Sequence, residues 1–354
     1  MQNYYETMPY LIDRYKKISA TLRFQGSSVA DCQNWQQALR TELLHLTGME
    51  TMTACPLRPQ IIETVALEGY ARQKVILETE PGVLMPLYVL IPASLKPGTR
   101  QAAVIAPHGH VSGGKLAVAG IAASDELRQT IAQHNYDYGV ALVRQGFVVF
   151  CPDARGFGER RETCSQGDAP AQVMRSSCEQ LNHMALPLGQ SVTGMWTWDL
   201  MRLVDYMQSR PEVNPDRIGC AGLSGGGLQT LWLAALDDRI KCAVISGYFY
   251  GYLQSLLVMS GNCSCNYVPH LWEKVDMGDI GALIAPRPVM IETGDQDPLN
   301  SPLKLENVYS QVRVMKKAYD VFSAADNLVH DVFPGEHRWH GELSVPFLKK
   351  WLMS

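Results

Sequence analysis

Three short stretches carry the residue types that acyl-transfer chemistry needs, and they follow one another along the chain. Ser224 sits in Gly222-Leu223-Ser224-Gly225-Gly226, Asp297 in Gly294-Asp295-Gln296-Asp297, and two histidines in Glu336-His337-Arg338-Trp339-His340. A serine hydroxyl is a weak nucleophile at neutral pH until a base takes its proton, so a histidine and a carboxylate that orients it must accompany it. The first stretch fits G-x-S-x-G, in which small neighbours allow a strained strand-to-helix elbow that lifts the serine out of a sheet. Read as a phosphate cradle, the same glycines fail, because no G-x-x-x-x-G-K-[ST] lysine follows. Each piece also has a plainer reading: a flexible turn with an incidental serine, turn aspartates beside Pro298, a solvated histidine near the end of the chain. Their joint occurrence after three successive strand-like segments favours the catalytic one.

A tetrahedral intermediate needs preformed N–H donors. The N–H of Gly225, directly after the serine, is one; the loop Pro107-His108-Gly109-His110 is placed to supply the second from the N–H of His110. His108 and His110 lack further histidine or aspartate ligands close by in the sequence. Cys263 and Cys265, as C-S-C, are the only close cysteine pair, whereas zinc sites use wider spacing and a second pair. No metal and no cofactor are therefore expected. Asp153 and Arg155 in DARGFGER suit a structural ion pair supporting their loop, and Arg287 in APRP a structural role.

These residues must be held by a scaffold, and the texture around them describes one. Short apolar runs at 102–106, 147–150, 218–221, 242–245, 289–291 and 328–333 alternate with helical patterns near 126–145, 195–209, 226–236, 303–324 and 342–353. Such alternation predicts an α/β fold, a mostly parallel central sheet with helices on both faces. PHGH, PDARGFGER, GLSGGG, ETGDQDP and PGEHRWHG each follow one of these strands, at the carboxyl ends where open parallel sheets bind ligands. Ahead of them, 74–77 and 87–92 flank the turn Glu80-Pro81-Gly82 as a hairpin. Residues 1–65 read as an N-terminal helical extension, with Asp31 as a helix N-cap and Gly48 as a stop, and residues 66–354 as the catalytic domain.

The 354 residues are 46% hydrophobic, enough for a large core. Lys and Arg (31) nearly balance Asp and Glu (35), with no basic run that could track a phosphate backbone, so nucleic acid is not an expected partner. No uncharged apolar run approaches the roughly 18 residues of a membrane helix, and the first residues lack the pattern of a secretory signal. Nine scattered cysteines favour reduced thiols. A cytoplasmic protein is the default expectation, a mature form that has lost a signal being left open, as is a homo-oligomer.

With PHGH, PDARGFGER, Trp196-Thr197-Trp198-Asp199, SRPEVNPDRIGCAGLSGGG, LAALDDRIKCAVISGYF, ALIAPRP, GDQDP and PGEHRWHG in order, residues 66–354 resemble the alpha/beta-hydrolase superfamily. The closer resemblance is to its dienelactone-hydrolase-like and acetyl-xylan-esterase-like branch, related to prolyl oligopeptidases. It implies nucleophile Ser224, acid Asp297, base His337 and oxyanion donors at His110 and Gly225. Of the two histidines, His337 fits the family's turn, which puts the base soon after Pro-Gly with an aromatic two positions on. The implied activity is hydrolysis of small carboxylic esters, often acetyl groups on sugars, without a metal. A peptidase or C–C bond hydrolase on the same triad, and a non-catalytic binding protein that has kept the fold, are the alternatives. One departure stands out: Gly225 follows the serine where relatives often carry a bulkier residue.

Overall fold

The computed structural model describes residues 4–354. Its centre is a nine-stranded sheet, β1 (Gln60–Leu67), β2 (Tyr70–Glu80), β3 (Val83–Pro92), β4 (Gln101–Ile105), β5 (Val148–Pro152), β6 (Val213–Leu223), β7 (Cys242–Ser246), β8 (Val289–Gly294) and β9 (Leu328–Phe333), in the order β1-β2-β3-β5-β4-β6-β7-β8-β9. β1, β2, β3 and β5 pair antiparallel, and β5, β4, β6, β7, β8 and β9 pair parallel. The hairpin of β2 and β3 turns at Pro81-Gly82, with Gly82 at φ +80°.

Residues 102–105, 148–151 and 242–245 of β4, β5 and β7 read as unbroken apolar runs because both of their faces are covered, whereas β8 carries Glu292 and Thr293 and β9 carries His330 and Asp331. Along β4, Ala103 and Ile105 join one core while Ala102 and Val104 join the other; β7 divides likewise, Ala243 and Ile245 against Cys242 and Val244. The helices Val192–Ser209 and Gly225–Leu236 cover the first face, and Tyr138–Arg144 and Ser344–Leu352 the second. Leu39 and Leu43 of the helix Val29–Leu46 are buried in the first core. Their helix is tied to the sheet layer by Gln36, which donates to the Ala285 carbonyl at 2.7 Å, and by Arg40, which donates to that of Ala235 at 2.9 Å. Among the described residues, no helix is long and apolar enough to cross a membrane.

Three local expectations change. The cap of Val29–Leu46 is Ser28, whose hydroxyl accepts from the N–H of Asp31; Asp31 lies inside the first turn, where a carboxylate suits the helix dipole. Sheet structure begins at Gln60, ahead of residue 66. The helical pattern over 126–145 is two helices, Asp125–His134 and Tyr138–Arg144, because Asn135 turns left-handed at φ +51° to receive another loop. That loop carries His337.

Candidate active site

β6 ends at Leu223 and the helix Gly225–Leu236 begins two residues later, leaving Ser224 alone at the corner. Its φ of +61° with ψ of −121° is a conformation that L-residues rarely adopt, and its N–H donating to the Ser246 carbonyl at 2.9 Å helps hold it there. The glycines exist because the turn is tight: a Cβ on Gly226 would lie 2.2 Å from the Pro107 carbonyl oxygen, and one on Gly222 would lie 2.6 Å from that of Gly226. Beside the serine, a Cβ on Gly225 would meet His110 Nδ1 at 3.0 Å. The His110 ring fills the space that a larger residue after the serine would need.

Past the end of β8, two aspartates divide the work. Asp295 accepts from the N–H of Gly335 at 2.9 Å, fixing the loop after β9. Asp297, 5% exposed, accepts from Leu299 N–H at 2.9 Å through Oδ1, which points Oδ2 at His337 Nδ1, 2.7 Å away. The histidine loop is clamped from its other side by the helix break: Trp339 N–H donates to the His134 carbonyl at 2.9 Å, and Asn135 Nδ2 to the Trp339 carbonyl at 2.8 Å. Below it the buried carboxyl of Glu292 takes the N–H groups of His340 and Gly341 and the Ser344 hydroxyl. Burial raises the pKa of Glu292.

Ser224, His337, His110 and Gly225 line one cavity of about 300 Å³, together with Leu228, Tyr248, Tyr250, Cys263, Asn266 and Leu299 among others. No hydrogen bond joins Ser224 Oγ to the imidazole among the described residues; such contacts commonly tighten only around bound substrate. The N–H groups of His110 and Gly225 are likewise without partners among the described residues. Tyr136 steadies the His110 backbone by donating to its carbonyl at 2.9 Å. His340 is elsewhere: its Nδ1 meets Asp331 at 2.9 Å and its ring stacks on Phe333 with centroids 4.4 Å apart.

The flanking residues are structural in ways the sequence only outlined. Asp153 and Arg155 do not pair with each other. Asp153 is buried against Lys115, whereas Arg155 binds Asp199 and Glu80. Desolvation raises the pKa of Asp199, yet the guanidiniums of Arg160 and Arg155 outweigh it and hold the carboxyl below the ordinary range. Arg287 donates to the carbonyls of Ala234, Asp237 and Ile240.

His108 is fully buried, accepts from the Ala154 N–H at 3.1 Å, and its pKa falls from 6.5 to about 4 because desolvation disfavours the imidazolium. The unfolded chain therefore binds the extra proton between those values, and stability falls as pH drops from 6.5 toward about 4. His330, also lowered by burial to about 4, adds to the same slope. In an NMR titration of the folded protein His108 is expected to stay neutral at about pH 5.5; a midpoint near its ordinary value would contradict the account.

A strained serine at a strand-to-helix corner, a carboxylate-bound histidine after the last strand and a parallel sheet beneath them define the α/β-hydrolase class. The chain belongs to the Abhydrolase family, whose model matches residues 5–331. It is 34% identical over 220 residues to YtaP of Bacillus subtilis (strain 168), named as a hydrolase, covering 60% of this chain and 67% of that protein. In fold it is similar to a Bacteroides fragilis NCTC 9343 protein assigned the name acetyl xylan esterase, with TM-score 0.80 and 19% identity, over 98% of this chain and 95% of that one. A glucuronoyl esterase from Solibacter usitatus aligns with TM-score 0.63 and 14% identity, over 94% and 98% of the two chains. At these identities the two structures speak for the fold alone.

Proposed function

We propose that the protein is a serine carboxylic-ester hydrolase working through an acyl-enzyme, with Ser224 as nucleophile, His337 as base and Asp297 as the group that orients it. The observation that carries this reading is the Asp297–His337 bond of 2.7 Å facing the same cavity as the strained Ser224. His337 takes the Ser224 proton through Nε2 as Oγ attacks the ester carbonyl, while Asp297 holds the proton on Nδ1 and stabilises the imidazolium. The oxyanion forms between the N–H groups of His110 and Gly225, each such donor being worth about 3 kcal/mol in the transition state. His337 then protonates the departing alcohol. Water repeats the sequence on the acyl-enzyme, releasing the acid and restoring Ser224. The chain from Gln60 onward forms the catalytic unit, and the described residues before it, 4–59, an extension packed on it through Gln36 and Arg40.

The substrate we favour is a small acyl ester of a carbohydrate or similar alcohol. A cavity of about 300 Å³ walled by Leu228, Tyr248, Tyr250 and Leu299 lies at the small end of ligand sites. The name of YtaP, a hydrolase, agrees with the reaction class. A panel of p-nitrophenyl esters, acetylated sugars and aminoacyl amides tests it. Acetyl esters are expected to exceed octanoyl esters in kcat/KM by about tenfold or more, since a chain longer than the cavity accommodates must push its walls aside or draw the carbonyl off the oxyanion donors, at a cost of about 1–3 kcal/mol; a preference for octanoyl would overturn the substrate assignment, and turnover of amides alone would replace esterase with peptidase.

A further inference from the structure

Four soft or borderline ligands converge beside this cavity from three separate parts of the chain. His110 comes from the loop after β4, Cys178 from the first position of the helix Cys178–Ala185, and Cys263 and Cys265 from the loop after β7. One ligand atom from each lies within 4.8 Å of all the others. Cys178 and Cys265 are fully buried, and all three thiols are free. We propose that His110, Cys178, Cys263 and Cys265 form a tetrahedral Cys3His site for a thiophilic divalent cation, zinc foremost.

Two of the ligand–ligand distances lie close to the edges of a metal-centred tetrahedron and far from a disulfide. Tetrahedral zinc with Zn–S of about 2.3 Å and Zn–N of about 2.0–2.1 Å requires S–S edges of about 3.8 Å and S–N edges of about 3.6 Å. Cys178 Sγ and Cys263 Sγ are 3.5 Å apart, and Cys265 Sγ and His110 Nε2 are 3.6 Å apart. A disulfide would need sulfurs at about 2.05 Å, and would use two of the three thiols while leaving the third and the imidazole without a purpose.

The surroundings are built as metal sites are, with neighbours that aim the ligands. Tyr248 Oη donates to Asn266 Oδ1 at 2.7 Å, which fixes the amide so that Nδ2 faces the Cys263 carbonyl at 2.9 Å and Cys265 Sγ at 3.7 Å. Thr193 donates to the Cys265 carbonyl at 2.5 Å and Asn182 to the Ser264 carbonyl at 2.9 Å. An N–H directed at sulfur suits a thiolate. Because His110 and Cys263 also line the cavity, the site has an entry path for the ion.

Four protein ligands leave no open position, so the ion is structural and takes no substrate. Bound to Nε2, it would set the hydrogen of His110 on Nδ1, the atom beside Gly225, and would tie two loops to the segment that carries the His110 N–H. The site stands on these ligands whatever reaction Ser224 performs.

The test uses the full chain, produced with zinc, purified under reducing conditions and freed of loose metal. Expected are about one zinc per chain and an X-ray absorption spectrum with three sulfurs at about 2.3 Å and one nitrogen at about 2.0–2.1 Å. Cobalt in its place should show the thiolate charge-transfer and strong visible bands of a tetrahedral site. Cys265→Ser should bind less than about a tenth of an equivalent, while Cys164→Ser, at an exposed thiol outside the cluster, should keep the full complement. The wild-type spectrum decides alone should Cys265→Ser fail to fold. Folded, reduced wild-type protein that takes up no zinc or cobalt overturns the proposal, as does bound zinc without sulfur ligands, zinc retained in folded Cys265→Ser, or a Cys178–Cys263 disulfide formed in reducing buffer.

Discussion

Replacing Ser224 by alanine is expected to reduce ester turnover on the order of a millionfold, the loss seen when a triad nucleophile is removed elsewhere. The fold should barely notice. Ser224 Oγ forms no hydrogen bond among the described residues, and the strain at φ +61° resides in the backbone, which alanine shares. The unfolding free energy should therefore change by less than about 1 kcal/mol in a urea titration. Wild-type-like turnover by a folded Ser224→Ala protein would remove the serine from the chemistry, and a large loss of stability would mean that the hydroxyl serves the fold.

The second large effect separates two histidines three residues apart. His337→Ala should lower kcat on the order of a thousandfold or more, because nothing else on the cavity wall is paired with Asp297. His340→Ala should cost less than about tenfold in kcat. Its ring is committed to Asp331 and Phe333, and what it lends the site, the N–H donated to Glu292, belongs to the backbone and survives the substitution. Kinetics of the two variants on one ester, in protein shown to be folded, give the ranking. The reverse order would move the base to His340 and leave the Asp297–His337 bond without a catalytic meaning.

Much of the parallel half of the sheet was legible in the sequence because burial on both faces leaves stretches free of polar residues, as in Phe147 to Phe150 and Cys242 to Ile245. The placement of reactive residues at strand ends was equally legible, since it needs only the order of elements. β1 was missed for the opposite reason: it is an edge strand whose residues are almost all exposed, Ile61 and Ile62 included, so no burial pattern marks it. The break at Asn135 was missed because its cause lies some 200 positions away, in the carbonyls and N–H groups of the His337 loop. Ser28 could have been found, standing three residues before an acidic residue at the head of an amphipathic run.

The cysteine cluster shows the limit most clearly. Spacing rules look for ligands close in sequence, and Cys263-Ser264-Cys265 offered only half a site. The other half comes from Cys178 and His110, which the topology brings together by laying the strands out of sequence order. In the sequence, His110 stands out for its backbone N–H alone. Glu292 escaped notice in a similar way, as a carboxyl inside a buried strand, although it anchors the loop that carries both histidines.

An activated Ser224 is open to covalent capture by an electrophile that mimics the acyl-transfer transition state. The folded wild-type protein is treated with a fluorophosphonate and digested, and the modified peptide is located by mass spectrometry. A single phosphonyl adduct on Ser224, absent from His337→Ala over the same time, is the predicted result. Folded wild-type protein that remains unlabelled, or that carries the adduct on another residue, would contradict it.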